Sequence, residues 1–354
     1  MKAAVFYEAE DLRLEDVPEP EAGPDEVVVK VLACGFCGSD IEYYYGRSPL
    51  GTADGKGPLV LGHEICGRVV QAGKLAEQYG LQEGDRVALN PVQSCNACNA
   101  CRSGGLQFCQ NLTVLGVTMN GGFAEYAKTK IAHAYRLPDS LTDEQGAFVE
   151  MLSSAVYAVQ RAEIELGNFA VVYGPGPVGL AFVQLLKDAG ARVGVVGTRD
   201  YRLDVAKAVG ADVVWNVSES ASPYYTPDVV AAVKDANDGA LADRVLVGTA
   251  SVAANQQAIE ISGNRSIVVL MGLAGPEDAI SVPLLSNLYQ DKTIRFSILY
   301  PLQWPKTIGL LETGAVDTSR IITHSATLEG IAPAIERVLK RDDDVIKTVI
   351  KPGG

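Results

Sequence analysis

The sequence of 354 residues holds no apolar run near the ~20 residues needed to cross a bilayer, which excludes a helical membrane protein. Its opening, Met1-Lys2-Ala3-Ala4-Val5, lacks the apolar core and cleavage site of a secretory signal and runs straight into a strand-like pattern, so a cytosolic location is expected. Basic residues are scarce, 30 against 43 acidic ones, and the net charge is −13. A surface that negative repels phosphate backbones and anionic lipid, so nucleic acid and membranes are poor partners. Neither internal repeats nor low-complexity segments are present, and 47% apolar with 21% charged residues excludes disorder of the whole chain. Cysteine is absent outside Cys34–Cys109, and the total of seven is odd. A secreted disulfide framework is usually even and dispersed; clustered cysteines in a cytosolic chain point to metal.

What is present divides into two textures. The length is too great for one ordinary core and implies about two domains. The first part is β-rich, with strands expected at Glu26–Leu32, Gly62–Gln71 and Asp85–Leu89 between Gly and Pro punctuation. Thr142–Arg161 has helical spacing, and Thr142 with Gln145 forms a capping-box pattern. From Asn168 onward strands and helices alternate, which predicts a parallel sheet with helices on both faces. After about Lys292 the β-rich texture returns, starting with a strand expected at Thr293–Leu299. This tail has no evident core of its own and is expected to fold back onto the first domain. The expected boundaries are 1–153 with a cysteine lobe at about 90–112, then 154–292, then the return over 293–354.

Three groups of residues carry chemistry. Cys95, Cys98, Cys101 and Cys109 place four thiolates in one short loop, the requirement of a closed tetrahedral zinc site. Buried or disulfide-bonded cysteines, or an iron–sulfur cluster, are the other readings. Three islands, Cys37-Gly38-Ser39-Asp40, Gly62-His63-Glu64 and Glu150, supply the residue types of a second, open metal site. Such a site takes about three protein ligands and leaves a position for substrate. His63 stands out in a chain with three histidines.

The third group is Tyr173-Gly174-Pro175-Gly176-Pro177-Val178-Gly179, a G-x-G-x-x-G between an expected strand and an expected helix. Gly174 permits the tight turn, Gly176 lets backbone approach a pyrophosphate, and Gly179 allows close helix–strand packing, while the helix start at Pro177 and Val178 attracts phosphate. At the end of the second strand, Val196-Gly197-Thr198-Arg199 lacks the acidic residue that binds the ribose of NAD. Thr198 donates a hydrogen bond and Arg199 pairs with a phosphate, which favours NADP over NAD. The competing reading leaves Arg199 in solvent and gives the ribose to Asp200.

Together these motifs resemble the zinc-containing medium-chain dehydrogenase/reductase family, over nearly the whole chain. Within it the sequence is most similar to the polyol (sorbitol-type) and threonine dehydrogenase branches, since Glu150 in Phe148-Val149-Glu150-Met151-Leu152 matches their carboxylate. The resemblance implies an α/β fold: a GroES-like β-rich catalytic domain plus a Rossmann doubly wound sheet, with the active site in the cleft between them. It implies that Cys37, His63 and Glu150 bind a catalytic zinc, with Glu64 a ligand or an exchanging neighbour, and that Cys95, Cys98, Cys101 and Cys109 bind a structural zinc. It further implies that Ser39 takes the substrate proton, that Tyr43 lines the substrate pocket, and that the C-terminal pocket segment includes Tyr300. Glu42 stands where many relatives carry a His, and Leu299 precedes Tyr300 where the polyol branch often has an Arg.

The implied enzyme moves a hydride between a secondary alcohol of polyol or sugar type and NADP, as a homo-oligomer, a dimer or tetramer. A threonine-type or simple secondary alcohol dehydrogenase, possible with NAD, is the alternative. A nucleotide-binding protein without activity and a zinc-free quinone or enoyl reductase are disfavoured because every implied zinc ligand is present.

Overall fold

Alternating Val and Leu positions pair the strands of the first unit in the computed structural model, which describes residues 1–340 and 345–353. The expected return segment 293–354 includes five positions outside that range. Strands β1 (Lys2–Glu8), β2 (Glu26–Gly35), β3 (Glu64–Ala72), β4 (Arg86–Leu89), β5 (Tyr126–Lys130) and β6 (Ala134–Arg136) come first, with helix α1 (Gly38–Tyr44) between β2 and β3. Helix α2 (Asp143–Arg161) closes this part. Its start carries the capping box: Thr142 N–H donates to Gln145 Oε1 at 2.9 Å and Gln145 N–H to Thr142 Oγ1 at 3.2 Å.

The second unit follows with β7 (Phe169–Tyr173), α3 (Pro177–Asp188), β8 (Arg192–Gly197), α4 (Asp200–Ala208), β9 (Val213–Asn216), β10 (Ala242–Val247), β11 (Ser262–Leu270), α5 (Leu284–Tyr289) and β12 (Thr293–Phe296). All five residues of β7 are buried, as expected of a strand covered on both faces. The sheet is wholly parallel with the order β9-β8-β7-β10-β11-β12. Read by appearance in the chain, that order is third, second, first, fourth, fifth, sixth, the doubly wound arrangement in which strand order reverses beside β7. The strand expected to begin the return is β12 instead. It pairs with β11 from Ile267↔Thr293 to Leu270↔Phe296 and so belongs to this sheet.

The chain then re-enters the first unit through α6 (Trp304–Glu312), β13 (Ile322–Ala326), α7 (Ile331–Leu339) and β14 (Lys347–Ile350). By contacts the first unit is Met1–Met151, Pro301–Glu312 and Ile322–Gly354, and the second is Leu152–Tyr300 and Thr313–Ile321. In the first unit the main sheet runs β6-β4-β3-β2-β14-β13, with β5 also on β2. Its core joins Phe6, Val29, Ile65 and Leu89 to Ile331, Ile335 and Ile350 from the other end of the chain. Burial of that apolar face, at roughly 25 cal/mol per Å², is what draws the tail back.

Candidate active site

Cys37 follows the end of β2 as the N-cap of α1, and His63 and Glu64 stand at the start of β3. The two strands pair antiparallel, with Gly35 opposite Glu64, so the two sequence islands meet at one end of the ladder. One ligand atom from each of Cys37, His63 and Glu64 lies within 4.8 Å of the others. Asp40, which sequence reading left without a role, organises two of them. Its Oδ2 accepts the Cys37 N–H at 2.9 Å, and its Oδ1 faces His63 Nδ1 at 3.6 Å. Burial pushes the His63 ring toward neutrality, but the adjacent Asp40 carboxylate and Cys37 outweigh it and hold a proton there. A cation in the group takes the place of such a proton.

Glu64 is fully buried and its two oxygens differ. Oε1 accepts from Lys347 Nζ at 2.5 Å, whereas Oε2 has no hydrogen-bond partner. Gly35 makes room for this carboxylate; a Cβ at that position would overlap it. Lys347, from β14, also donates to the Phe36 carbonyl at 3.0 Å. Burial opposes its charge, yet Glu64, Cys37 and Glu150 together keep it held above its ordinary value. Glu150, 9% exposed on α2, is therefore within the electrostatic reach of Lys347 but stands outside the 4.8 Å group. A thiol, an imidazole and a carboxylate with an unsatisfied buried oxygen are the donor set of a borderline-soft dication, so the residues fit zinc.

Ser39 and Tyr43 lie four residues apart on α1 and so share a face. Burial raises the Tyr43 hydroxyl, and the charges of His63, Asp40 and Cys37 act on it as well. Glu42, the departure noted above, pairs with Arg47 at 3.2 Å on the exposed side. Tyr300 ends the second unit's main segment and is 3% exposed, with Leu299 before it at φ 56°.

The cysteine lobe is equally well formed. The ligand sulfurs of Cys95, Cys98, Cys101 and Cys109 lie within 4.8 Å of one another, and all seven cysteines are free thiols. Backbone N–H groups point at the sulfurs: Cys95 N–H donates to Cys109 Sγ at 3.2 Å and Cys98 N–H to Cys95 Sγ at 3.4 Å. Donation from the Ala97 and Cys98 amides lowers Cys95 to about 6, while burial and neighbouring thiols push Cys101 up to about 12. Four sulfurs with no further ligand position suit a structural zinc.

In the second unit the glycine-rich turn leaves β7 at its C-terminal end, where strand order reverses. Gly174 sits at φ 87°, and a Cβ on Gly179 would overlap the Gly174 carbonyl, so both must be glycine for α3 to start here. Gly176 is the N-cap and Pro177 fills the first turn, where its missing N–H is harmless. Gly197 ends β8, Thr198 follows, and Arg199 is the N-cap of α4. Asp200 is engaged elsewhere: its Oδ1 accepts from Asn216 Nδ2 at 2.7 Å and Ser222 Oγ at 2.5 Å. Sequence reading also missed Arg202, whose Nη1 lies 3.8 Å from where a Gly176 Cβ would stand. It brings a guanidinium to the glycine-rich turn, a placement that only the fold of α4 against α3 reveals.

Two family models match the chain. The alcohol dehydrogenase GroES-like domain covers residues 23–139 and the zinc-binding dehydrogenase model covers 177–313. Sorbitol dehydrogenase of Bacillus subtilis (strain 168) is 30% identical over 355 residues, 99% of this chain and 97% of that protein. Sorbitol dehydrogenase of Gallus gallus is 34% identical over 346 residues, 97% of this chain and 94% of that protein. Among solved structures, one described as a zinc-binding dehydrogenase of Sinorhizobium meliloti 1021 bound to NADP superposes with a TM-score of 0.91. It is 28% identical and covers 99% of each chain.

Proposed function

Because this chain belongs to the zinc-dependent alcohol and polyol dehydrogenase family, we propose that it oxidises a secondary alcohol of the polyol or sugar type with NADP. The observation that carries this reading is the convergence of Cys37 with the buried His63 and Glu64 at the start of α1, the helix that bears Ser39 and Tyr43.

Cys37, His63 and Glu64, with Glu150 near by, would hold the catalytic zinc, which when bound supplies Lewis acidity toward an alcohol oxygen. Asp40 fixes Cys37 through its backbone and faces His63, so the ligands keep their orientation. Ser39 would take up the substrate's hydroxyl proton while passing its own on toward solvent, and Tyr43 would wall the substrate position. A nicotinamide cofactor bound at the glycine-rich turn would supply the hydride acceptor for the alcohol's carbinol carbon.

For the cofactor, Gly174, Gly176, Pro177, Val178 and Gly179 present backbone and a helix start to the pyrophosphate. With Asp200 bonded to Asn216 and Ser222, the ribose end is left to Thr198, Arg199 and Arg202, a set that favours a 2′-phosphate. The Sinorhizobium meliloti relative, bound to NADP, supports that preference, and the sorbitol dehydrogenases support the polyol class. Leu299 before Tyr300 favours a second reading, a simple secondary alcohol, because no guanidinium stands there to bind a polyol hydroxyl. We further propose a cytoplasmic homo-oligomer. No described helix is long and apolar enough to cross a membrane.

The test is the initial rate of NADP and NAD reduction with sugar alcohols, simple secondary alcohols and threonine. Polyol turnover with NADP is the expected result. Turnover of simple alcohols or threonine alone discards the polyol assignment, and an equal or greater rate with NAD discards the 2′-phosphate contact.

A further inference from the structure

We propose that Lys347 is a positioning residue that holds Glu64 back from the metal, making this carboxylate a displaceable ligand rather than a permanent one. The proposal rests on the reading of Cys37, His63 and Glu64 as a zinc group.

The geometry divides the Glu64 carboxylate between two claimants. Oε1 is bonded to an ammonium at 2.5 Å, while Oε2 has no hydrogen-bond partner, and one oxygen lies within 4.8 Å of the Cys37 and His63 ligand atoms. The carboxylate has little freedom, since it lies against Gly35 closely enough that no Cβ fits. Lys347 is fixed as well. Its side chain is 4% exposed, and its second bond goes to the Phe36 carbonyl, one residue before Cys37.

A buried ammonium is expensive to desolvate and is retained only where anions compensate it. Here the directly bonded counter-charge is Glu64, one of the three side chains whose ligand atoms converge. Lys347 therefore competes with a dication for the Glu64 carboxylate. That competition weakens the hold of Glu64 and favours an open coordination position, the requirement of a catalytic rather than a structural site.

The experiment compares zinc-loaded wild type, Lys347→Met, Lys347→Arg, Glu64→Gln and the double variant Lys347→Met with Glu64→Gln. The readouts are the rate of zinc release to a chromophoric chelator and the visible spectrum after cobalt replaces the catalytic zinc. Lys347→Met is expected to release the catalytic zinc at least about 10-fold more slowly than wild type, the scale on which outer-shell partners tune metal sites. Its cobalt spectrum should shift with the change of ligand, its kcat should fall, and Lys347→Arg should restore all three.

In the Glu64→Gln background, removal of Lys347 should leave the release rate unchanged. Release from Lys347→Met as fast as from wild type overturns the proposal. So does slowing that persists in the Glu64→Gln background, because Lys347 would then act without Glu64. If Lys347→Met alone fails to fold, the double variant has no unpaired buried charge, and its comparison with Glu64→Gln decides the matter in the same way. A wild type that binds only the cysteine-lobe zinc would instead defeat the zinc-site reading on which the proposal rests.

Discussion

Single side chains in this protein do work that their neighbours in sequence do not announce. Cys37 and His63 are expected to be indispensable for turnover but not for cofactor binding, since the nucleotide turn is in the other unit. Cys37→Ser and His63→Ala should each lower kcat more than about 100-fold, beyond the effect of losing outer-shell partners. NADPH binding followed by fluorescence should stay near wild type; near-normal rates in either variant would remove these residues from the metal site. Arg199→Ala tests the cofactor end. Loss of a charge-assisted hydrogen bond, about 1.5–3 kcal/mol, should weaken NADP at least about 10-fold more than NAD. Equal losses in a titration of both nucleotides would send Arg199 back to solvent.

Asp40 and Lys347 escaped sequence reading for different reasons. Asp40 lay within a noticed motif, but its service to Cys37 and His63 needs the turn between β2 and α1 to exist. Lys347 looks like a polar interruption in an apolar strand, and its partner is 283 residues away.

Secondary structure was legible where the pattern was local. The capping box at Thr142 and Gln145 and the strand before the glycine-rich turn, β7, depend on a few adjacent residues. The partner of β12 was not legible. Thr293–Phe296 reads equally well as the first strand of a returning segment and as the last strand of the parallel sheet, and only its register with β11 decides.

Between β8 and β9 an acidic residue makes a testable staple. Asp212 Oδ2 accepts the Val193 N–H at 2.6 Å and meets Lys187 Nζ at 2.9 Å. Burial tends to raise its pKa, but these two donors outweigh it and hold the carboxyl below its ordinary value. A depressed carboxyl stabilises the fold above its unfolded pKa, and that stability is lost as pH falls through the folded value. Asp212→Asn should therefore cost about 1 kcal/mol at neutral pH, allowing for partial exposure. Thermal melts of the two proteins should converge below about pH 3, under the ordinary carboxylate range. A difference that is constant with pH would show that charge on Asp212 is immaterial.

For the molecule as a whole, the proposed self-association has a concrete surface. Helix α5 exposes Leu284 at 82%, Leu288 at 74% and Tyr289 at 81%, and β12, an end strand of the sheet, adds Phe296 at 71%. Large apolar groups exposed on a short helix and on an end strand suit an interface, and a second copy related by a two-fold axis would offer the same end strand in return. Light scattering should give at least a dimer, and Leu284→Glu with Leu288→Glu should yield monomer without loss of fold. A monomeric wild type would refute the surface.

The return of β14 to the first sheet has a consequence for synthesis. Proteins made on the ribosome usually complete their domains in order, the N-terminal one first. Here that order is inverted: the segments of the second unit have all been made by Ile321, whereas the first unit still lacks β14 beside β2 and Lys347 beside Glu64. A nascent chain of this protein therefore carries a finished nucleotide-binding unit while Glu64 still waits for its counter-charge. Chaperone demand should fall on the older half of the polypeptide.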